Sequence, residues 1–199
     1  MTIGHLRPAW AEVDLDALAH NVGLVRSLVA PARLCAVVKA DGYGHGAVTV
    51  ARAAVEAGAS WLAVALPEEG MELRRAGIEA PVLVLSEPEP EAMAEAVGWG
   101  LTPTVYGAGG IAAAAAGARA SGRSGVGVHL KIDTGMHRVG AHPDAALDLA
   151  RAVEGAGPLR LEGLWTHLAV ADEPGDPFTA EQLRRFDEVR DRLTEAGMV

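Results

Sequence analysis

Short apolar runs alternate with helical segments about six times from Arg33 onward, and this alternation restricts the fold more than any other feature of the sequence. Strands separated by helices in this way run parallel, because each helix returns the chain to the same end of the sheet. A closed (β/α)8 TIM barrel needs eight such units and typically about 250 residues. The 199 residues therefore predict an α/β fold of the TIM-barrel type that is incomplete. A doubly wound parallel sheet is the alternative that the same alternation permits.

Apolar periodicity and the positions of glycine and proline set the predicted element boundaries. The predicted strands span 33–38, 61–65, 82–85, 102–105, 126–132 and 159–165, and the first of them is expected to be buried. The predicted helices span 14–30, 47–57, 67–76, 89–97, 109–120, 143–154 and 178–196. Asp14 is the predicted N-cap of the first helix. Thr179 and Gln182 are the predicted capping box of the last helix.

The charge and the cysteine content narrow the classes of protein that fit. The formal net charge of -9, with no basic cluster, argues against a nucleic-acid-binding surface. Cys35 is the only cysteine, so a reducing, cytoplasmic compartment is expected. No segment reaches the roughly 18 apolar residues of a membrane span, and the histidines show no metal-ligand spacing. Residues 1–9 are predicted to form an N-terminal arm and residues 10–199 the partial barrel.

The stretch from Val37 to Gly46, VVKADGYGHG, places a lysine directly after the first strand and a glycine at every second position of the following loop. A lysine at a strand tip is partly desolvated, and a neutral amine is a nucleophile. Glycines let the backbone approach a ligand closely and adopt positive φ. The stretch therefore predicts that Lys39 faces a ligand. A lysine that only extends to solvent ahead of an ordinary turn is the alternative.

Two later strands also end in polar side chains, within residues 129–140 (HLKIDTGMHRVG) and residues 163–172 (GLWTHLAVAD). In barrels of this type the reactive groups lie at the C-terminal ends of the strands. Lys39, Arg138 and His167 are therefore predicted to share one edge of the sheet. Each residue taken alone has an alternative interpretation. Arg138 is then a surface residue paired with an aspartate, and His167 is a hydrogen-bonded core histidine.

All three stretches resemble the alanine racemase family, and the stretch around Lys39 is similar to its pyridoxal-phosphate attachment signature. The resemblance implies that Lys39 is the lysine that forms a Schiff base with pyridoxal 5'-phosphate and that Tyr43 lies near the cofactor phosphate. It also implies that Arg138 contacts the phenolic oxygen of the cofactor and the carboxylate of the substrate. His167 is implied to pack beside the pyridine ring.

Two positions of the middle stretch need separate treatment. Lys131 falls where members of the family carry a lysine that is carbamylated in some of them, and the carbamate then orients the arginine. An unmodified lysine that serves as an inward salt-bridge partner is the alternative for Lys131. His137 departs from the family pattern, because many relatives have glycine there. This departure predicts a small change in loop shape, and no role is assigned to His137.

The resemblance implies an enzyme that interconverts L-alanine and D-alanine, supplies D-alanine for peptidoglycan, and is a homodimer at full length. Racemisation needs an acid/base group on each face of the planar intermediate, and Lys39 is one of them. In the family the other is a tyrosine from the C-terminal β domain of the partner subunit. The last two barrel units bring a serine to the phosphate and an arginine to the pyridine nitrogen. We therefore expect the 199 residues to be an N-terminal fragment with little or no racemase activity alone.

Two other functions remain open at this point. A pyridoxal-phosphate carrier or homeostasis protein also resembles the racemase barrel and lacks the second domain. A Schiff-base lyase or aldolase would use Lys39 directly on a carbonyl substrate. A cofactor adduct on Lys39 would exclude the lyase or aldolase, because that enzyme would use the lysine directly on its own substrate.

Overall fold

The computed structural model describes residues 10–198, so the predicted arm, residues 1–9, lies outside the described residues. The strands are β1 (Cys35–Val37), β2 (Trp61–Val64), β3 (Val82–Val84), β4 (Thr102–Val105), β5 (Val126–Lys131) and β6 (Leu159–Trp165). They form one parallel sheet in the order β1-β2-β3-β4-β5-β6. A doubly wound sheet reverses its strand order at a switch point, so that alternative is wrong. The sequential order is that of a barrel wall, with six of eight units present and with β1 and β6 as its edges.

Helices connect the strands and give the wall its outer layer. They are α1 (Leu15–Val29), α2 (Lys39–Gly44), α3 (Ala47–Glu56), α4 (Pro67–Arg75), α5 (Pro90–Gly98), α6 (Ala108–Ala120), α7 (Ala146–Gly155) and α8 (Phe178–Glu195). A short 3-10 turn, Pro143–Ala145, precedes α7, where one continuous helix was predicted. Between residues 10 and 198, no helix combines the length and the apolar character needed to cross a bilayer.

The apolar core lies in two clusters of buried side chains. One surrounds β1 to β3 and includes Val38, Leu62 and Val84, and the other surrounds β4 to β6 and includes Val105 and Leu130. Each of these side chains is at most 1% exposed, which stabilises the fold by roughly 1.5–3 kcal/mol per fully buried aliphatic side chain. The packing fixes the strands from one side, and their C-terminal ends all lie at the same edge of the sheet.

The prediction that the first strand is buried is wrong for β1, whose three residues are exposed or half-buried. Val38 is 1% exposed, but Val37 is 40% exposed and Cys35 is also exposed. Since β1 is an edge strand that pairs with β2 alone in the described part of the chain, side chains on its other face have few neighbours. The hydrogen-bonded strand is also shorter than predicted.

The two predicted helix caps have opposite outcomes. Asp14 is the N-cap of α1, as predicted, and its Oδ1 accepts a hydrogen bond from the N–H of Ala17 at 2.9 Å. The capping box of the last helix is wrong, because Thr179 lies inside α8 and the N-cap is Pro177. The side chain of Gln182 is fully buried and bonds to residues outside the helix, so it is not available to the helix end.

Candidate functional site

Lys39 begins a left-handed helical turn, α2, directly after β1. Ala40, Asp41, Gly42 and Tyr43 have φ between 52° and 60° and ψ between 36° and 52°. These are the angles of the left-handed α region, which costs a non-glycine residue roughly 1–2 kcal/mol. The glycines of the stretch adopt the predicted positive φ, whereas the three non-glycine residues in this region were not predicted. The turn therefore depends on contacts that hold it in place.

Two carboxylates hold this turn. Asp41 Oδ1 accepts a hydrogen bond from the N–H of Ala47 at 2.8 Å, at the first residue of α3. The N–H of Ala40, next to Lys39, donates to Glu69 Oε1 at 2.6 Å. The other oxygen of Glu69 accepts two N–H groups at the start of α4. The position of Lys39 is thus tied to the neighbouring β2–α4 connection as well as to its own strand.

The amine of Lys39 lies near the ring of Tyr43. The side chain of Lys39 is half-buried, and its Nζ is 5.9 Å from the ring centre of Tyr43, which is 60% exposed. His45 Nδ1 donates to Gly42 O at 2.8 Å, so this histidine contributes a hydrogen bond within the loop. Both Lys39 and Tyr43 are accessible from the solvent side of the sheet edge.

Lys131 is the last residue of β5 and is only 3% exposed. Its Nζ lies 4.3 Å from the ring centre of Trp165, the last residue of β6. Burial lowers the pKa of Lys131, the positive charges of Arg138 and Lys39 lower it further, and Asp133 opposes them. Among residues 10–198 the amine forms no ion pair with a carboxylate. The neutral amine of Lys131 is therefore favoured more than in an ordinary surface lysine.

Arg138 lies in a closed loop after β5 and is exposed. The N–H of Asp133 donates to Ala141 O at 2.9 Å, which closes the loop at its base. Asp133 Oδ1 accepts the N–H groups of Gly135 and His137, both at 3.0 Å. Burial alone would raise the pKa of Asp133, but the hydrogen bonds from His137 and Gly135 lower it overall. The ionised carboxylate therefore holds the loop that presents Arg138.

His167 follows β6 by two residues and is exposed. Partial burial lowers its pKa, and the charges of Arg138, Lys131 and Lys39 lower it further. These interactions link His167 electrostatically to the other three cations. The neutral imidazole is therefore favoured near pH 7.

The structure thus places all five predicted site residues at the C-terminal ends of β1, β5 and β6. They are Lys39, Tyr43, Lys131, Arg138 and His167. The sequence contains only two lysines, and both are in this group. No cluster of three potential metal ligands occurs among residues 10–198. An edge with two lysines, an arginine and a histidine is suited to an anionic ligand and offers an amine for covalent attachment.

Sequence reasoning missed two polar residues next to this edge, Glu69 and Gln182. Glu69 follows Pro67 in the first turn of α4. An acidic residue is expected there in any case, because a negative charge interacts favourably with the helix dipole at the N-terminus. Its bond to Ala40 spans 29 residues, and Gln182 bonds to Thr134 across 48 residues. Neither partner could be found from local sequence pattern, because both contacts depend on the tertiary fold.

We expect Glu69→Gln to destabilise the chain, because the amide that replaces one oxygen faces N–H donors. The free energy of unfolding should fall by about 1 kcal/mol, because these exposed or half-buried N–H groups lose hydrogen bonds to a charged acceptor. Urea unfolding measures this change. Glu72→Gln, at an exposed position of the same helix, is the matched control and should shift stability by less than about 0.5 kcal/mol. Equal midpoints for the two variants would contradict the assignment.

His137 has a φ of 55°, a region that glycine enters freely and other residues enter at a cost. We expect His137→Gly to be more stable than His137→Ala by about 1 kcal/mol in thermal or urea unfolding. Both variants lose the contact of 3.3 Å between His137 Nδ1 and Asp133, so their difference isolates the backbone effect. An alanine variant as stable as the glycine variant would show that the loop relaxes out of the left-handed region.

Comparison with known proteins places the chain in a family. Residues 13–199 match the family described as alanine racemase, N-terminal domain. The alanine racemase of Symbiobacterium thermophilum is 46% identical over 199 residues, which are 100% of this chain and 52% of that protein. The alanine racemase of Desulforamulus reducens is 46% identical over 193 residues, 96% of this chain and 52% of that protein.

Solved structures agree with the sequence comparison. Alanine racemase from Clostridium difficile 630 in complex with cycloserine superposes with a TM-score of 0.92 at 36% identity, covering 98% of this chain and 54% of that one. The enzyme from Streptomyces lavendulae gives a TM-score of 0.85 at 39% identity, covering 94% and 50%. This chain spans about half the length of the relatives it matches. It belongs to the alanine racemase N-terminal domain family.

Proposed function

We propose that this chain carries the pyridoxal-phosphate-binding half of an alanine racemase active site, with Lys39 as the attachment point. The observation that carries the proposal is that Lys39, Lys131, Arg138 and His167 all lie at or just beyond the C-terminal ends of β1, β5 and β6. Membership of the family supports it. Because the chain spans about half of its relatives, the racemase activity of a whole protein, its alanine substrate and a homodimeric state are parts of the proposal.

The residues at the edge fit this cofactor. Pyridoxal phosphate carries a phosphate and a phenolic oxygen, and the basic side chains at this edge, which form no ion pair with a carboxylate among residues 10–198, can bind such anionic groups. We assign Lys39 to the covalent bond, Tyr43 to the phosphate, Arg138 to the phenolic oxygen and the substrate carboxylate, and His167 to the ring. The related enzyme of Bacillus anthracis was solved with bound L-Ala-P, and that of C. difficile with cycloserine. The L-Ala-P ligand of the related enzyme supports an alanine-like ligand for this chain.

The proposed chemistry divides between the cofactor and this chain. When bound, pyridoxal phosphate supplies the electron sink that makes the α-proton of an amino acid removable. The amine of Lys39 would take or return a proton at Nζ on one face of the α-carbon. Arg138 would bind the carboxylate of the substrate and orient it relative to Nζ. His167, whose lowered pKa favours the neutral imidazole, would lie beside the ring without adding a further positive charge.

The second face of the α-carbon needs another acid/base group. By family resemblance it is a tyrosine of the C-terminal domain of the partner subunit, and the later barrel units complete the phosphate site. We therefore propose that the 199-residue chain alone racemises alanine little or not at all. A cytoplasmic location is proposed from the single cysteine, Cys35, which suits a reducing compartment.

We also propose that Lys131 is a site of carbamylation. The lone pair of neutral Nζ attacks the carbon of CO2, an N–C bond forms, and one amine proton passes to solvent. The product is a carbamate with one negative charge in place of the ammonium. The lowered pKa of Lys131 and the nearby charge of Arg138 both favour that change. The unmodified amine, over the ring of Trp165, is the alternative.

We expect the chain mixed with pyridoxal phosphate to show a visible absorption band that Lys39→Ala abolishes. Borohydride reduction followed by peptide mass analysis should place the adduct on Lys39, and Lys131 is the only competing lysine. Lys131→Arg removes the competing amine and leaves Lys39 in place, so it should retain the band. A wild-type chain without a band, or an adduct confined to Lys131, would overturn the assignment.

Incubation of the same sample with L-alanine tests the second half of the proposal. We expect no sustained appearance of D-alanine from the chain alone. Binding of the cofactor with no exchange of the α-proton of alanine in D2O would favour a carrier protein over a half-site with a working Lys39. Sustained D-alanine production would contradict the proposed dependence on a second domain.

In 13C-bicarbonate we expect a carbamate carbon signal in the NMR spectrum of the chain, strongest above neutral pH because the neutral amine reacts. Lys131→Arg should remove the signal, and Lys39→Ala should retain it. The other amines are Lys39 and the N-terminus, so a signal lost in Lys131→Arg and retained in Lys39→Ala assigns the carbamate to Lys131. A signal that persists in Lys131→Arg would show that another amine is modified.

A further inference from the structure

Gln182 is a fully buried polar side chain on α8, and every hydrogen-bonding group of its amide is used. Its Oε1 accepts the N–H of Ala169 at 2.8 Å. Its Nε2 donates to Thr134 Oγ1 at 3.1 Å and to His167 O at 3.0 Å. The residue is 0% exposed. A buried amide with all of its partners present is a specific arrangement, because each missing partner is costly in the interior.

The partners of Gln182 lie in the two loops that present Arg138 and His167. Thr134 precedes Arg138 by four residues, inside the closed loop after β5. The hydroxyl groups of Thr134 and Thr166 are 2.8 Å apart, and Thr166 also donates to Ile132 O at 2.9 Å. Gln182 thus joins the end of β5 to the end of β6 from the helix side.

Only a carboxamide satisfies this set of partners. The site requires one acceptor for the N–H of Ala169 and two donors for Thr134 and His167. A carboxylate offers no donor, and a thioether offers neither group. The hydrogen-bond partners therefore require glutamine at this position, and another side chain of similar volume does not replace it.

We propose that Gln182 is a positioning residue that sets the spacing between Arg138 and His167 for an anionic cofactor. This inference rests on the proposed pyridoxal-phosphate site. Its contribution is indirect: Gln182 holds the backbone of His167 and the side chain of Thr134, and these contacts position the two loops from which His167 and Arg138 extend.

The test uses Gln182→Met in the full 199-residue chain, because methionine keeps the length and removes all three hydrogen bonds. Amide hydrogen exchange of the chain without ligand and a spectroscopic titration with pyridoxal phosphate are the two measurements. We expect faster exchange in residues 133–140 and at Ala169, and a Kd for pyridoxal phosphate that rises roughly tenfold or more.

Val189→Ala is the matched control. Val189 is 1% exposed on the same helix, belongs to the apolar cluster around β4 to β6, and has no polar side-chain atom to bond to the loops. It should lower stability through lost packing but leave exchange in residues 133–140 and the Kd unchanged. Thr134→Val removes the hydroxyl that Gln182 Nε2 contacts and should give an effect of the same kind. It supplies the comparison should Gln182→Met fail to fold.

The outcomes separate this inference from the proposed function. Exchange and Kd values for Gln182→Met and Thr134→Val that match those of Val189→Ala would overturn the positioning role. A wild-type chain without a visible band would overturn the proposed cofactor site. The exchange data would then decide by themselves, since faster exchange in both loops supports the positioning of Arg138 and His167, and unchanged exchange refutes it.

Discussion

The convergence of four basic side chains at one edge of the sheet is the constraint on which the site depends, because positive charges held there repel one another. Lys39, Lys131, Arg138 and His167 form no ion pair with a carboxylate in the described part of the chain. The mutual repulsion contributes to the lowered pKa values of Lys131 and His167. Like charges converge in this way only where the fold holds them. An anionic ligand would relieve this repulsion. The repulsion therefore raises the free energy of the unliganded site, and its relief contributes to the affinity for the ligand.

Polar side chains that bridge neighbouring loops provide much of that restraint. Glu69 reaches from α4 to the turn after β1, and Gln182 reaches from α8 to the loops after β5 and β6. Glu87, after β3, accepts the N–H groups of Tyr106 at 2.6 Å and Gly107 at 3.1 Å after β4. Each bridge links the ends of two strands that the sheet itself pairs only along their length. The edge is thereby rigid where strand hydrogen bonds have ended.

The sequence predicted the features that are local or periodic. The six strands and the placement of Lys39 and His167 just beyond strand ends follow from apolar runs with polar ends. The left-handed turn was not predictable, because Ala40 and Tyr43 disfavour positive φ and Asp41 adopts it only occasionally. Gln182 was misassigned, since a threonine three residues before a glutamine is a capping pattern until tertiary partners compete for the amide. Such misassignments arise where long-range hydrogen bonds override local preference.

The left-handed turn after β1 has a consequence for chirality. Its backbone angles are those that D-amino acids prefer and L-amino acids avoid. The segment that carries Lys39 therefore has the handedness of a mirror-image peptide inside an L-protein. D-residues introduced at Ala40 or Tyr43 by chemical synthesis would relieve the backbone cost, while the same change in α3 or α4 would break the helix. Single D-residue substitutions would therefore separate two contributions to the stability of this turn. One is the backbone cost of its left-handed conformation, and the other is the stabilisation by the carboxylates that hold it.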